Sequence, residues 1–429
     1  MLLRFRVINY RSLRDEQELS FVATEFNEGT ARQVEVKPSG RESVLPVIGV
    51  YGANASGKSN VLSALGHLGL LVRGGLSLGL QRGRTLGWDP HVLDPETASG
   101  PTSYEAEFVA ENVKYAYGIA FTDEAVLGEW LHAYPLGRRQ VWFERDPADP
   151  QRLRFPDNHL GPAQTQSVLA DLARPDRPFI SLGGEVRHSM LEPVARWLSS
   201  LEMSTTRSRT RPLSEAIVSL FEGDQADRVV ESLRRADSGI DGAEIVEVEP
   251  SEVDMAQGRT RKRREVRLRH RGRAGLTPLA FQLESDGTQA WIRLLRPLLR
   301  AMERGTVLVV DELDGSLHPE LAAETIRMFH DRTLNQHGAQ LLFSSHDVSM
   351  LSTVYGRPLL DRDQVWFTEK GDDGATELFP LTDLKPRKGE NIERGYLSGR
   401  YGAVPGLSPG ELARALWPDQ PASDEAPAP

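Results

Sequence analysis

The chain of 429 residues contains no cysteine. This absence excludes a disulfide framework, a catalytic thiolate and a cysteine-ligated metal, and it permits a cytoplasmic location. The apolar runs are far shorter than the roughly 18 residues that cross a bilayer, so we expect no membrane span and no secretory signal. Positive charge is in the minority, because 51 Lys and Arg against 61 Asp and Glu give a net charge of −10. The chain is therefore not coated with positive charge for nucleic acid, although a local basic patch stays open.

Strand and helix patterns alternate along the chain in the order of an α/β protein. A buried-strand pattern at 45–51 leads into a glycine-rich turn, and residues 58–71 then carry apolar side chains at helical spacing. Two further buried-strand runs, 306–310 and 340–343, flank a helical pattern at 320–330, which is the parallel strand, helix, strand unit. Residues 104–145 alternate with period two, which predicts an antiparallel sheet.

The glycine-rich turn reads GANASGKS and matches the pattern G-x-x-x-x-G-K-[ST] at every specified position. Its glycines let successive backbone N–H groups point into one concavity, where the dipole of the following helix attracts phosphate. Lys58 is expected to reach the β- and γ-phosphates, and Ser59 to bind Mg²⁺. A chance glycine turn is the alternative, but the buried strand before it and the helix after it are the context that the motif requires. The residues predicted to bind the nucleotide are Gly52, Asn54, Ala55, Ser56, Gly57, Lys58, Ser59 and Asn60.

Two carboxylates follow the apolar run that ends at Val310. Asp311 and Glu312 are therefore predicted at the carboxyl end of a central parallel strand, where they would face the phosphate loop. Asp311 suits the magnesium shell, and Glu312 suits the general base that polarises the attacking water. Two acids after a strand are also common as a solvated turn. Their pairing with the phosphate loop favours the catalytic interpretation.

The two motifs in this order resemble the ABC-type ATPase heads of the SMC, RecF and OLD group. More narrowly, the chain is similar to the AAA-type ATPases of bacterial abortive-infection and restriction-linked loci, the AbiL and RloA kind. The opening segment FRVINYRS adds to the resemblance, and it implies that Arg11 and Ser12 lie near the nucleotide. The resemblance implies a homodimer that encloses ATP and Mg²⁺ between its two copies. Because sustained heptads are missing, a long coiled-coil arm is excluded.

The segment LESDGTQ resembles the ABC signature, which binds the γ-phosphate that the opposite copy holds. The resemblance implies Ser285 and Gly287 as the donors. The chain departs from transporters and SMC heads at Asp286, where they have a second glycine, and at Thr288, where they have Gln or Glu. Without the resemblance, this segment is an ordinary helix cap.

Two more loops follow the acids. In the segment LDGSLHP, His318 occupies the position that SMC heads and transporters fill with Asp, which points away from a transporter subunit. The segment FSSHD ends a predicted strand, and the resemblance implies that His346 contacts the γ-phosphate as the switch histidine. The glutamine of the Q-loop is expected before the helical region, and Gln140 is the candidate on sequence order alone.

The resemblance and the patterns together predict an α/β fold: an ABC-ATPase head with a P-loop parallel core, an antiparallel β lobe and an inserted helical subdomain. The tail is rich in Pro, Ala and acidic residues, which predicts disorder. The predicted divisions are residues 1–150 for the first ATPase lobe, 151–242 for the helical insertion, 243–417 for the second lobe, and 418–429 for the tail.

The predicted function is ATP hydrolysis by the ATPase and sensor component of a phage-defence system. The residues after His346 show no convincing nuclease motif, so a nuclease effector, Toprim-like or RloB-like, would act in trans. The alternative is a RecF-like repair ATPase that clamps DNA. A transporter subunit and a nuclease acting alone are both disfavoured.

The stretch from Arg259 to Arg273 contains nine Lys or Arg residues in fifteen. It could contact the phosphates of DNA or RNA, or an acidic partner. A hairpin with one solvated face explains the same pattern, because apolar and basic residues alternate within it. The closing segment from Arg394 to Gly402 resembles that of the same defence ATPases, but its residues predict no chemistry.

Overall fold

The computed structural model describes residues 1–77, 86–146, 148–156, 158–205, 215–249, 262–273, 275–352, 358–387, 389–404 and 411–416. The predicted disordered tail, 418–429, lies outside them. The strands are β1 Leu2–Ile8, β2 Gln17–Ser20, β3 Arg32–Val36, β4 Gly40–Val44, β5 Val47–Gly52, β6 Thr102–Ala110, β7 Val113–Phe121, β8 Val126–Ala133, β9 Gln140–Asp146, β10 Asp149–Arg154, β11 Glu202–Thr205, β12 Ile240–Val248, β13 Arg263–Gly272, β14 Gly275–Ala280, β15 Val307–Asp311, β16 Gln340–Ser344, β17 Val365–Lys370 and β18 Thr376–Pro380.

The helices include two long ones, α1 and α8, which begin within the glycine-rich turn and the signature-like segment, respectively. The α-helices are α1 Lys58–Ser77, α2 Pro95–Ala98, α3 Ala163–Leu172, α4 Ile180–Glu185, α5 Leu191–Ser199, α6 Glu215–Val218, α7 Ala226–Ala236, α8 Asp286–Arg304, α9 Pro319–His330, α10 Ile392–Leu397 and α11 Glu411–Leu416. Short 3₁₀ helices are Asn158–Leu160, Ser219–Phe221, Gly223–Gln225, Phe281–Leu283, Val348–Leu351, Arg362–Gln364 and Leu381–Leu384. None of the described helices is long and apolar enough to cross a membrane.

A six-stranded sheet forms the core in the order β11-β15-β16-β5-β17-β18. The neighbours from β11 to β17 pair in parallel, and only β18 runs antiparallel to β17. All residues of β5 and β16 are buried. A parallel strand covered on both faces has a continuous apolar sequence, which is why these strands could be predicted. The carboxyl ends of β5, β15 and β16 meet at one edge of this sheet.

A seven-stranded antiparallel sheet has the order β10-β9-β8-β7-β6-β1-β2. Buried and less buried residues alternate along β6, as the period-two pattern predicted. The side chain of Gln340, at the start of β16, joins the two large sheets. Its Oε1 accepts from Leu2 N at 2.6 Å, and its Nε2 donates to the carbonyls of Leu2 and Leu45 at 3.0 and 3.2 Å.

The helices α3, α4 and α5 lie in the predicted insertion, and Glu129 of β8 joins the start of α4 to the antiparallel sheet. Its buried carboxylate accepts from Phe179 N at 2.7 Å and Ile180 N at 3.0 Å, beside the buried Arg145. Residues 151–242 are not helical throughout, because β11 within them pairs with β15 in the core sheet. This strand has only four residues, which is too short for its pattern to be recognised.

A third sheet, in the order β12-β13-β14, lies in the second half of the chain. Val266 and Leu268 of β13 are buried in the same apolar cluster as Val229 and Leu233 of α7 and much of α8. The alternation of apolar and basic residues in 259–273 agrees with a hairpin, and β13 within this stretch pairs antiparallel with both β12 and β14. The sheet therefore covers the helix that begins with the signature-like segment.

Candidate nucleotide-binding site

The phosphate loop connects β5 to α1 and is shaped by positive backbone angles. The φ of Ala55 is 61° and that of Gly57 is 111°, the latter a conformation that L side chains rarely adopt. A Cβ on Gly57 would collide with the side chain of Thr376, and a Cβ on Gly52 would lie 2.5 Å from the carbonyl oxygen of Thr368. The strands β17 and β18 therefore support the loop from outside, and they leave room only for glycine at both positions.

Lys58 lies over the concavity of the loop. Its Nζ donates to the carbonyls of Gly52 and Ala53 at 2.8 and 2.9 Å, and the residue is 5% exposed. Burial lowers the pKa of the Lys58 ammonium to about 8, while the nearby Asp311 and Glu312 raise it in part. A phosphate in this concavity would give the ammonium a counter-charge that the carbonyls do not provide.

Ser59, Asp311, Ser344 and Glu312 form one hydrogen-bonded group at the carboxyl edge of the core sheet. Asp311 Oδ1 accepts from Ser59 Oγ at 3.0 Å and from Ser344 Oγ at 2.7 Å. Ser344 Oγ in turn accepts from Glu312 N at 2.7 Å. Glu312 has a φ of 55°, so the chain turns sharply directly after β15. The carboxylate of Asp311 thus contacts the predicted magnesium serine, and the backbone of Glu312 is joined to Asp311 through Ser344.

The segment after Glu312 contacts the segment after β16. Leu313 N donates to Ser344 O at 2.9 Å, and His346 N donates to Asp314 Oδ2 at 3.2 Å. The structure therefore places His346 beside the loop that follows the acids, at the same edge of the sheet. His318 caps α9 by accepting from Glu320 N at 3.2 Å.

Ser12 and Asn60 support the phosphate loop. Ser12 Oγ accepts from Asn60 Nδ2 at 2.6 Å and lies 2.7 Å from the hydroxyl of Thr376, which is also 2.8 Å from Ser56 O. Ser12 is buried, so it holds the loop and the first turn of α1 together from behind.

Arg11 lies beside α1. Its Nε donates to Asp89 at 2.8 Å and its Nη1 to Ser63 Oγ at 3.2 Å, while its side chain is 42% exposed. Asn54 and Ala55 are exposed in the loop itself. Asn54 and Ala55 are therefore open to a ligand at the loop, whereas the described hydrogen bonds of Arg11 are with Asp89 and Ser63.

Ser285 and Gly287 lie at the start of α8, a position that suits both a signature and an ordinary helix cap. Ser285 is the exposed N-cap and accepts from Thr288 N at 3.2 Å. A Cβ on Gly287 would lie 2.9 Å from Ser316 O, so the signature-like segment lies against the loop that follows the acids. The described contacts of Ser285 and Gly287 are with these neighbours, and none of them is with the phosphate loop of the same copy.

Gln140 does not join this group. It begins β9, four positions from β1 in the antiparallel sheet, where it faces Ala133 in register and lies 3.5 Å from Trp142 Nε1. The structure therefore does not support Gln140 as a nucleotide ligand. Sequence order placed it before the helical region, but order along a chain says nothing about distance across a sheet.

The sequence profile of the family described as "AAA domain, putative AbiEii toxin, Type IV TA system" matches residues 47–352. The chain belongs to this AAA-domain family. No curated protein matches the chain in sequence. Among solved structures, the SMC head domain from Thermotoga maritima is similar over 88% of this chain and 98% of its own, with 14% identity and a TM-score of 0.38. That likeness is too weak to inform the fold or the function.

The site offers contacts to a magnesium nucleotide, which agrees with membership of the AAA-domain family. The concavity of residues 52–59 offers backbone N–H groups and Lys58 to phosphates. Ser59 and Asp311 supply the hard oxygen atoms that Mg²⁺ prefers, and they are already held together by a hydrogen bond. These residues fit a magnesium nucleotide without a change of partners other than those of Lys58.

Three further residues of this site in the AAA-domain chain were not predicted from the sequence. Ser344 links Asp311 to Glu312, Thr376 supports the loop at Gly57, and Thr368 lies 2.6 Å from Ser56 Oγ. Ser344 had a usable signal, because it ends a buried strand two residues before His346. The threonines had none, since they approach the loop only through the pairing of β17 with β5 and β18.

Three basic side chains of β13 and its flank are paired with acids. Lys262 contacts Glu249 at 2.6 Å, and Arg271 contacts Asp241 at 2.8 Å. Arg264 contacts both Glu215 and Glu222. The residues 259–261 of the predicted basic stretch lie outside the described residues. Across residues 262–273, these pairs neutralise part of the charge that a phosphate backbone would meet.

Ser344→Ala should lower the turnover of ATP by about 10- to 100-fold while ATP binding is kept. The reason is that the Ser344 hydroxyl, which supports both Asp311 and the turn at Glu312, is lost. Steady-state hydrolysis and equilibrium nucleotide binding check this. Ser181→Ala is the control, since this buried hydroxyl donates to Pro178 O at 2.6 Å in α4, which is not part of the core sheet. Equal turnover in Ser344→Ala and wild type would contradict the role of Ser344.

The affinity for ATP should fall about tenfold between pH 7 and pH 9, because the Lys58 ammonium with a pKa of about 8 loses its proton in this range. The sign follows from charge, since the protonated lysine binds phosphate and the neutral amine does not. Binding of a fluorescent ATP analogue to Glu312→Gln, which hydrolyses slowly, measures this across the pH range. A flat affinity would show that Lys58 does not contact the phosphates in its charged form.

Proposed function

We propose that this chain is a Mg²⁺-dependent ATPase that works as a homodimer and forms the ATPase component of a bacterial phage-defence system. One observation carries the hydrolysis proposal: the phosphate loop, its magnesium serine and the two acids after β15 form a single connected group through Asp311 and Ser344. The match to the AAA-domain family supports the same activity.

In this proposal, each residue of the site has a separate chemical role. The backbone N–H groups of the loop and Lys58 bind the phosphates and neutralise their charge. Mg²⁺ held by Ser59 and Asp311 would draw electron density from the phosphoryl oxygens. Glu312 accepts the proton of the attacking water as the general base. His346, at the same edge of the sheet, contacts the γ-phosphate and is released from it after hydrolysis.

A second copy completes the site in this proposal. Ser285 is exposed at the N-terminus of α8, but its described contacts do not reach the loop of its own copy. The helix N-terminus and the serine hydroxyl are suited to a phosphate that the opposite copy holds. Leu283, the first residue of the signature-like segment, is 71% exposed and would be covered in such a dimer. ATP thereby joins two copies, and its hydrolysis separates them.

The biological part of the proposal is supported by the family description, which names an AbiEii toxin and a type IV toxin–antitoxin system. In the cytoplasm, the ATP-bound dimer would respond to a phage trigger and control an effector in trans, a nuclease of the Toprim-like or RloB-like kind. The alternative of a DNA clamp depends on the basic stretch, and the ion pairs of Lys262, Arg264 and Arg271 weaken it.

Glu312→Gln should bind ATP and remain a dimer, whereas Lys58→Ala should bind no nucleotide and stay monomeric in its presence. The reason is that the first variant removes the base and keeps the phosphate contacts, while the second removes the phosphate contact itself. Light scattering with ATP, ADP and no nucleotide measures the mass of each variant. ATP binding by Lys58→Ala that equals that of wild type would contradict the assignment of the site.

The effector proposal predicts that tagged Glu312→Gln, purified from its native host with ATP, retains a stoichiometric protein partner. Lys58→Ala purified in the same way is the matched control and should release that partner. Bound protein and bound nucleic acid are identified separately. Recovery of DNA without a protein partner would contradict the effector proposal and support the clamp.

A further inference from the structure

The signature-like segment is held by residues of the three-stranded sheet and its connection to α7. Ser285 Oγ lies 2.8 Å from the hydroxyl of Thr288, and it accepts from the backbone of the same residue at 3.2 Å. Thr288 Oγ1 in turn donates to Asp237 Oδ2 at 3.1 Å. Asp237 is itself fixed, because its Oδ1 accepts from Gly239 N at 3.0 Å. The orientation of the serine hydroxyl therefore depends on a carboxylate 48 residues before it in the sequence.

A second contact fixes the residue directly before Ser285. Both carboxylate oxygens of Glu284 lie within hydrogen-bonding distance of His270 Nε2, at 3.0 and 3.1 Å. Glu284 is 8% exposed, and burial raises the pKa of its carboxyl, whereas His270 opposes that rise. A buried carboxylate is costly unless it is paired, so Glu284 is held where His270 lies.

Asp237 and His270 both belong to the unit formed by α7 and the three-stranded sheet. Asp237 connects α7 to β12, and His270 lies on β13, the neighbour of β12. Gly239 lies close to both Asp237 and His270, because a Cβ there would lie 3.2 Å from Asp237 Oδ1 and 3.4 Å from His270 Nδ1. The segment from Glu284 to Thr288 is thus fixed on both sides of Ser285 by groups that are far from the phosphate loop in sequence.

We propose that His270 and Asp237 are positioning residues that hold Ser285 in place for the γ-phosphate bound by a second copy of the chain. The proposal rests on the proposed ATP-joined dimer and adds to it the residues that orient the donor. A phosphate donor must be fixed in advance to stabilise charge, since misplacement by about 1 Å can cost on the order of 100-fold in rate. The sheet β12-β13-β14 therefore acts on hydrolysis through the signature, although it does not touch the nucleotide of its own copy.

His270→Leu should lower ATP turnover by at least about 10-fold and leave the affinity of the phosphate loop for ATP within about twofold of wild type. A purely structural role would change stability or both parameters together. His270→Gln keeps an N–H donor toward Glu284 and should restore much of the turnover. Thr288→Val, which removes the hydroxyl that joins Ser285 to Asp237 and keeps the side-chain shape, should lower turnover in the same way.

Thr277→Ala is the matched control, because Thr277 is exposed and pairs with His270 in register on β14. It should hydrolyse ATP as wild type does. Thermal unfolding of each variant shows whether it folds, and His270→Gln and Thr288→Val keep the test decisive if His270→Leu does not. Unchanged turnover in folded His270→Leu and Thr288→Val would overturn the inference.

Mixing of variants separates this inference from the proposed dimer. Glu312→Gln binds ATP and dimerises, so it is mixed 1:1 with Ser285→Ala before ATP is added. Half of the dimers are then mixed and have one complete site of two, so about a quarter of the wild-type rate should return. Glu312→Gln mixed with His270→Leu should recover to the same extent. If only the Ser285→Ala mixture recovers, the positioning role is wrong and the dimer stands; if neither mixture recovers, the dimer proposal is wrong.

Discussion

Asp311 accepts hydrogen bonds from Ser59 and Ser344, and these two contacts join the carboxyl ends of β15 and β16 to the start of α1. The arrangement is possible because β5, β15 and β16 are parallel and adjacent, so the turns that follow them meet at one edge of the sheet. The turn at Glu312 also depends on Ser344, since the backbone N–H of Glu312 donates to the Ser344 hydroxyl. Loss of this junction would separate Ser59 and Asp311, the proposed magnesium ligands, from the proposed base Glu312 without any change in the phosphate loop.

Close packing and hydrogen bonds hold the residues around this junction in place. Thr368 and Thr376 approach the two glycines of the loop so closely that a side chain on either would collide. On the other side, Gln340 bonds to β1 and to the residue before β5, which ties the core sheet to the antiparallel one. The closing segment adds support to β17, where Tyr396 and Tyr401 stack on Phe367 at 5.4 and 5.9 Å. That segment, to which the sequence assigned no chemistry, has a structural role.

The parts of the site that could be predicted are those whose residues are contiguous and whose strands are buried on both faces. The phosphate loop, Asp311 and Glu312 are of this kind, because a continuous apolar run ends directly at each of them. Residues that reach the site through pairing of distant strands could not be found, and Thr376 is the clearest example. Gln140 failed for the opposite reason, since its place in the sequence was suitable but the width of the antiparallel sheet lies between it and β1.

The most direct test of the account is the structure of Glu312→Gln bound to ATP and Mg²⁺. We expect a two-fold dimer in which Ser285 of one copy contacts the γ-phosphate that Lys58 of the other copy binds, with Ser59 and Asp311 at the metal. ATP bound in the loop of a single copy, with Ser285 remote from every nucleotide, would contradict it.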